Sequence, residues 1–434
     1  MPGNSTVFRV VTDRELEGVL LVCVKFSSES YHDFEREETV RLVESAGGQV
    51  AGILSQNRSA PDRAYFIGRG KAEEAACRAS ALEVTTIVVD HDLSPGQVNR
   101  LEKLTDCKVV DRTELILAIF AVQARTPQAR IRIELAQLRY MLPRLSGMWH
   151  HLGRLGAGIG TRGPGETQLE VDRRRARARI SSLEKKIASM ETSARVRRLK
   201  RNSVFSVALA GYTNAGKSTL LNTLCDAGVR SEDKLFATLD TTSRRLILQC
   251  GEPVIISDTV GFIDKLPESL LESFRSTLDV VLEADLVLLV ADASDPEREA
   301  KVTVVRNTLK RIGAENVPHI VVWNKKDLAL DDAPYGMSVS ALTGDSLDRL
   351  AAAIQNELMK ALDWRELRLD ICTGETEYWL RSRCIIERFE RTDSGGAELF
   401  CGFRRSAGEA VKYLNSKGII HAMSGPIKET DVCR

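Results

Sequence analysis

The 434-residue chain has no apolar run that approaches the roughly 18 residues needed to cross a bilayer. Its opening, MPGNSTVFRVVTDRELEG, carries neither the basic nor the apolar stretch of a secretory signal. A cytoplasmic protein with at most peripheral membrane association is therefore expected. Cysteines number nine, an odd count, and no two stand at C-x-x-C spacing. That argues against zinc and disulfide frameworks and leaves incidental thiols. Compositional extremes are missing too. With 43% hydrophobic and 28% charged residues, a disordered, collagen-like or disulfide-scaffold chain is excluded. At about 150 residues per domain, the length allows roughly three domains.

Net charge is nearly absent, at +1, yet its distribution is uneven. Between Arg139 and Arg201, 16 Lys or Arg stand against five Asp or Glu, a local charge of +11. The rest of the chain is accordingly acidic. Such a segment is the footprint that RNA would meet, and a solvated helix face gives the same pattern. Charge alone leaves the two open.

From Gly18 to about Arg125, short apolar runs alternate with helical ones. GVLLVCVKF, VAGILS, TTIVVD and CKVVD read as strands, and YFIGRGKAEEAACRASALE as a strand, a Gly turn and a helix. Asp33 to Ala46, LSPGQVNRLEKL and RTELILAIFAV read as helices. This alternation predicts a parallel sheet covered on both faces. Farther on, Ile131, Leu135, Leu138, Leu142 and Leu145 form a helical seam, repeated at Ala176, Ile180, Leu183, Ile187, Met190 and Ala194. Two helices flanking the Gly-rich stretch from Gly153 to Gly165 predict an antiparallel hairpin. Its seam leaves Arg173, Arg174, Arg175, Arg177 and Arg179 largely on exposed faces.

From Val204 the strands VFSVALA, VIIS, DLVLLVAD, HIVVWN and MSVSA alternate with helices, ending in an amphipathic helix near Leu362. The tail from Arg365 mixes CIIERFE and ELFCGF with a helix, Ala407 to Leu414, around DSGG. The predicted fold class is α/β. Residues 1–127 form a parallel α/β domain, 128–201 a basic helical hairpin, 202–363 a P-loop domain with a doubly wound sheet, and 364–434 a small α+β domain.

The chemistry concentrates in the third of these. GYTNAGKS, running through Gly211, Tyr212, Thr213, Asn214, Ala215, Gly216, Lys217 and Ser218, follows a strand and opens a helix at Thr219. Its glycines let the backbone curl so that successive N–H groups face a phosphate. Lys217 reaches the β and γ phosphates, and the Ser218 hydroxyl can ligate magnesium. After VIIS comes DTVG, in which Asp258 can hold magnesium through water and the Gly261 N–H can face the γ-phosphate; Thr259 and Val260 lie between them. HIVVWN ends in NKKD, with Asn324, Lys325, Lys326 and Asp327. Asp327 can accept from both N1–H and the exocyclic amine of guanine, whereas adenine presents an unprotonated N1, so GTP is preferred over ATP. Asn324 would buttress the P-loop and the base, and Lys325 would lie along the purine plane. SVSALTG then places Ser340, Ala341 and Leu342 where a backbone N–H can meet the guanine carbonyl. All four elements occur in order at the carboxyl ends of strands.

Two catalytic points stay open from the residues alone. FATLDTTSR offers Thr238, Thr241 and Thr242 as the switch I threonine. Phe262 stands after DTVG where a Ras-like enzyme carries its water-orienting glutamine, so slow basal turnover is expected. Asn214 either braces the loop or helps to hold a potassium ion that takes the place of an arginine finger.

GYTNAGKS, FATLD, DTVGFI and NKKD, together with IGRGKAEE, LSPGQ, DRTELIL, ELAQL, PRLSG and GIGTRGPGETQLEVDRR, resemble the HflX family of translational GTPases. The resemblance covers roughly Val19 to Leu362. It implies GTP and GDP as ligands with Mg2+, binding to the large ribosomal subunit and its rRNA rather than DNA, and, in bacteria, splitting or rescue of stalled ribosomes under stress. Alignment with the family selects Thr238 as the second magnesium ligand, within Phe236, Ala237, Thr238, Leu239 and Asp240. Thr241 stands where the family usually has proline. The Gly-rich loop is expected to point toward the peptidyl transferase centre, and the hairpin to contact RNA. A monomer is expected. The competing reading is a GTP-dependent switch acting on a protein partner such as a membrane protease complex.

Overall fold

The computed structural model describes residues 17–27, 33–144, 168–199, 204–225, 236, 241–264, 267, 270, 275–331, 333, 335–403, 412 and 420–423. The stretch from Gly153 to Gly165, and all of Ala407 to Leu414 except Lys412, lie outside them.

Four parallel strands, β1 (Glu17–Phe26), β2 (Gly48–Arg58), β3 (Thr86–Val89) and β4 (Lys108–Val110), form the first sheet in the order β2-β1-β3-β4. Helices α1 (Asp33–Ser45), α2 (Arg69–Ala81), α3 (Pro95–Thr105) and α4 (Arg112–Gln123) cover it. The unbroken apolar run of β1 is explained by burial on both faces. Val19, Leu21 and Cys23 enter a core with α1 and α4, whereas Leu20, Val22 and Val24 enter one with α2. The strand expected at YFIG is a turn instead. Asp62 and Phe66 exchange backbone hydrogen bonds of 2.8 and 3.0 Å, and the Asp62 carboxylate accepts from the N–H groups of Ala64 and Tyr65. A side chain that satisfies its own neighbouring amides outcompeted strand pairing.

Helix α5 (Pro127–Met141) packs on α4 and on the long α6 (Gln168–Leu199). Leu183 is wholly buried in the seam, but on α5 the buried positions are Ala129, Ile133, Leu135 and Ala136, because this helix also faces the first core. The loop-side end of α5 is anchored on Asp111, the N-cap of α4. Its carboxylate, fully buried, accepts from the Tyr140 hydroxyl at 2.5 Å and from Arg144 at 2.6 Å.

A six-stranded sheet follows, with β5 (Phe205–Gly211), β6 (Thr242–Ile247), β7 (Pro253–Asp258), β8 (Leu286–Asp292), β9 (His319–Asn324) and β10 (Met337–Ser338) in the order β10-β9-β8-β5-β7-β6. All pairs are parallel except β6 on β7. This antiparallel edge was not expected, since TSRRLI begins with four polar residues and has little apolar signal. Val207 and Leu209 of β5 face α7 (Lys217–Leu224) and α10 (Leu347–Lys360); Ala208 and Ala210 face α8 (Arg275–Leu282) and α9 (Arg298–Ile312).

The tail is an antiparallel sheet of β11 (Asp363–Leu369), β12 (Cys384–Arg391), β13 (Ala397–Phe403) and β14 (Ile420–Met423), in the order β12-β13-β11-β14. A helix absent from the sequence reading, α11 (Gly374–Arg381), is capped by the Thr373 hydroxyl, which accepts from the Thr376 N–H at 3.2 Å. No helix among the described residues is long and apolar enough to cross a membrane.

Candidate nucleotide site

Strand β5 ends at Gly211, where a Cβ would fall 2.1 Å from the Val290 carbonyl oxygen, so only glycine lets β5 and β8 approach here. The loop then turns through Asn214 (φ 61°) and Gly216 (φ 84°) into α7. A Cβ on Gly216 would meet the Asn324 amide nitrogen at 2.2 Å. That closeness serves a bond. Asn324 donates to the Ala215 carbonyl at 2.9 Å and accepts from the Ala341 N–H at 2.9 Å, tying the P-loop to the SAL segment through one buried amide. The Ala341 N–H, expected to meet the base, is thus engaged by Asn324. Leu342 beside it is 80% exposed.

Lys217 is buried, and its ammonium donates to the carbonyls of Gly211 at 3.0 Å and Tyr212 at 2.8 Å. Burial pulls its pKa down to about 8, with the Asp258 carboxylate opposing. The Ser218 hydroxyl donates to Asp258 at 2.6 Å, which puts two hard oxygens side by side at the start of α7. Such a pair suits magnesium, with Asp258 positioned to act through water. Thr219, the next residue, lies in the first turn of α7 and is partly exposed.

On the base side, the exposed Asp327 accepts from the Ser340 hydroxyl at 2.5 Å. Lys325 (φ 61°) pairs with Asp292 at 2.6 Å, and Lys326 with Asp345 at 2.8 Å. Asn214, Ala215 and Lys325 line a cavity of about 500 Å³ whose opposite wall is Glu37, Glu38 and Arg41 of α1. Ala237, Thr238, Leu239 and Asp240 lie outside the described residues.

Three expected site residues turn their side chains away from a ligand. Phe236 is 2% exposed and packs edge-on against Phe120 of α4 at 4.7 Å, in the core of the amino-terminal domain. Val260 enters that same core. The Thr259 hydroxyl donates to the Leu209 carbonyl at 2.7 Å, fully buried. Burial of two apolar side chains and satisfaction of one hydroxyl explain all three, so these positions can offer a nucleotide only their backbone. Phe262 is also a core residue, 2% exposed.

The sequence reading missed how closely the amino-terminal domain approaches. The Tyr212 hydroxyl donates to the Glu38 carboxylate and accepts from the Asp264 N–H at 3.1 Å. Partners this far apart in sequence leave no local signal; only Tyr212 itself stood in a recognised motif.

Family models described as GTP-binding GTPase N-terminal, GTP-binding GTPase Middle Region and 50S ribosome-binding GTPase match residues 34–121, 123–201 and 206–325. GTPase HflX of Caldanaerobacter subterraneus subsp. tengcongensis is 46% identical over 80% of this chain and 82% of its own. The chain belongs to the HflX family of GTPases. The Escherichia coli HflX is 40% identical, covering 85% of this chain and 88% of its own. Among solved structures, a GTP-binding protein from Sulfolobus solfataricus in complex with GDP is similar at 21% identity and a TM-score of 0.42, over 80% of this chain and 99% of that one. As an HflX-family member, the chain is a P-loop enzyme that binds and hydrolyses GTP.

Proposed function

We propose that this GTPase binds the large ribosomal subunit through its hairpin and uses its nucleotide cycle to split or rescue stalled ribosomes. The observation that carries the reading is the mounting of the hairpin. Tyr140 and Arg144 at the end of α5 both close on the buried Asp111, and α5 buries a second face in the amino-terminal core. The basic hairpin is therefore a fixed projection of the domain that also touches the nucleotide site. Arg174, Arg175 and Arg177 are exposed along α6, available to rRNA phosphates. The family description as a 50S ribosome-binding GTPase supports the same target.

For hydrolysis, Lys217 and the Gly261 N–H would flank the γ-phosphate, while Ser218 and Thr238 would hold magnesium. Bound magnesium would neutralise charge on the β and γ oxygens. Asn214, on the cavity wall, would help to hold potassium where Ras-like enzymes use an arginine and glutamine. Asp327, beside Ser340, would read guanine.

The test is cosedimentation with 50S subunits in GTP-analogue, GDP and nucleotide-free states, alongside light scattering of 70S ribosomes. Binding in the analogue state with a fall in 70S scattering is expected. A protein that hydrolyses GTP yet neither sediments with subunits nor lowers scattering would exclude this reading and favour a switch acting on a protein partner.

A further inference from the structure

Thr213 stands in the P-loop between Tyr212 and Asn214 and is 7% exposed. The hydroxyls near it are paired. Tyr212 donates to Glu38, Ser218 to Asp258 at 2.6 Å, and Thr259 to the Leu209 carbonyl at 2.7 Å. The Thr213 hydroxyl is enclosed yet finds no hydrogen-bond partner among the described residues. Valine would fill the same space with the same branched shape and no polar atom. Because a buried hydroxyl left unpaired is costly, this one calls for a partner that arrives from outside the chain.

Its surroundings say which partner. The Thr213 N–H donates to the Phe262 carbonyl at 2.8 Å and the Phe262 N–H to the Gly211 carbonyl at 3.0 Å, so the segment that closes DTVG runs directly beside this residue. A Cβ built on Gly261 would fall 2.9 Å from both Cα and Cγ2 of Thr213 and 3.2 Å from the Lys217 ammonium. The Thr213 side chain, that ammonium and the Gly261 backbone therefore border one small space, the space assigned above to the γ-phosphate. Phe262 contributes nothing there, being 2% exposed and packed in the core with Leu278, Val281 and Leu289. A cation held at Asn214 would neutralise charge but accepts no hydrogen bond. The attacking water still needs an oxygen to hold it.

We infer that the Thr213 hydroxyl positions the attacking water by accepting a hydrogen bond from it, the role that a glutamine after DTVG fills in Ras-like enzymes. The inference rests on the proposed placing of the γ-phosphate between Lys217 and Gly261. As the water oxygen bonds to the γ phosphorus, the bond from that phosphorus to the β–γ bridging oxygen breaks, and GDP leaves with the electron pair. One water proton stays on the new phosphate hydroxyl and the other passes to a γ-phosphate oxygen. An alcohol is a poor base, so Thr213 keeps its own proton and acts by orientation.

The test is single-turnover GTP hydrolysis by the full chain and by Thr213→Val, Thr213→Ser and Lys217→Ala, with dissociation constants of fluorescent GTPγS and GDP measured on each. Thr213→Val should hydrolyse bound GTP about tenfold more slowly, the size of one hydrogen bond made in the transition state. Both of its dissociation constants should stay within about twofold of wild type. Without nucleotide it should melt no lower than wild type, having lost only an unpaired polar atom. Thr213→Ser keeps the hydroxyl and should recover most of the rate. A wild-type rate in Thr213→Val overturns the assignment, and so does a Thr213→Ser protein as slow as Thr213→Val, which would give the role to side-chain shape. A loss of GTPγS affinity that matches the loss of rate would overturn it too, making Thr213 a ligand of the γ-phosphate. Lys217→Ala separates the two levels of the argument. It should lose affinity for both nucleotides, and undiminished binding there would remove the phosphate site itself and this inference with it.

Discussion

Two sets of ion pairs join neighbouring elements here, and they differ in kind. Across the hairpin, Arg179 meets Glu134 through two bonds of 2.6 and 2.9 Å, and Arg139 meets Glu184 at 2.7 Å, all four side chains 40% exposed or more. At the domain junction, Arg112 and Glu38 have side chains 6% exposed. Hairpin pairs sit in water, where attraction is weak and salt screens it. The junction pair has lost its water, and burial pushes the Glu38 carboxyl up against the lowering pull of Arg112. Such a pair adds little over an apolar replacement but is costly to break by halves. Registration of one surface on another suits the first kind; a contact that is either made or fully released suits the second.

The largest effect should come from breaking the junction by halves. Arg112→Met leaves the Glu38 carboxylate buried with its cation gone, and about 3–5 kcal/mol of stability should be lost in urea unfolding. Adding Glu38→Leu should recover most of it. If the single variant is as stable as wild type, the pair is open to water.

Nucleotide choice comes next. Asp327→Asn removes the carboxylate proposed to read two guanine donors yet keeps an oxygen for the Ser340 hydroxyl, so the loop should stay formed. GTP affinity should fall about a hundredfold and XTP affinity rise. Competition binding with the two nucleotides checks this, and unchanged GTP affinity would remove Asp327 from the base site.

Much of that site was legible because its constraints are local. Gly211 must lack a Cβ where Val290 crosses, Gly216 must accept a positive φ, and strand ends must deliver Asp258 and Asn324. Each leaves a residue type at a fixed spacing. The first sheet was legible for a related reason, since a strand buried on both faces is apolar at successive positions, as β1 is from Val19 to Val24. What escaped was long-range or faint. Glu38 and Arg112 are 74 residues apart, and Arg112 lies 152 from Asp264. β6 opens with four polar residues in a row, α11 spans only eight residues, and YFIG kept its apolar letters while Asp62 folded the backbone into a turn.

A pH effect of intermediate size should come from Lys217. Burial holds its ammonium near pKa 8, and a bound phosphate anion beside it would raise it again. Binding therefore takes up a proton above pH 8. Affinity should be full below that value and fall as pH rises, by about tenfold over the next pH unit or so. GDP dissociation constants at pH 7, 8 and 9 check the sign, and a flat profile would place Lys217 in contact with water.

The smallest effect should come from the hairpin, and it should separate folding from binding. Glu134→Ala frees Arg179 from its two bonds without exposing any core, so the melting midpoint should drop by about 2 °C or less and the drop should vanish at high salt. Neutralising Arg173, Arg174 and Arg175, by contrast, should leave stability alone and weaken subunit binding. Its salt dependence should flatten by up to about one unit of slope for each phosphate left without its arginine. Releasing Arg179 adds an unpaired cation to that face, so Glu134→Ala should steepen the slope rather than flatten it. Opposite signs from two variants of one hairpin are hard to obtain from a damaged fold. Equal slopes in wild type and both variants would mean that these arginines face only solvent.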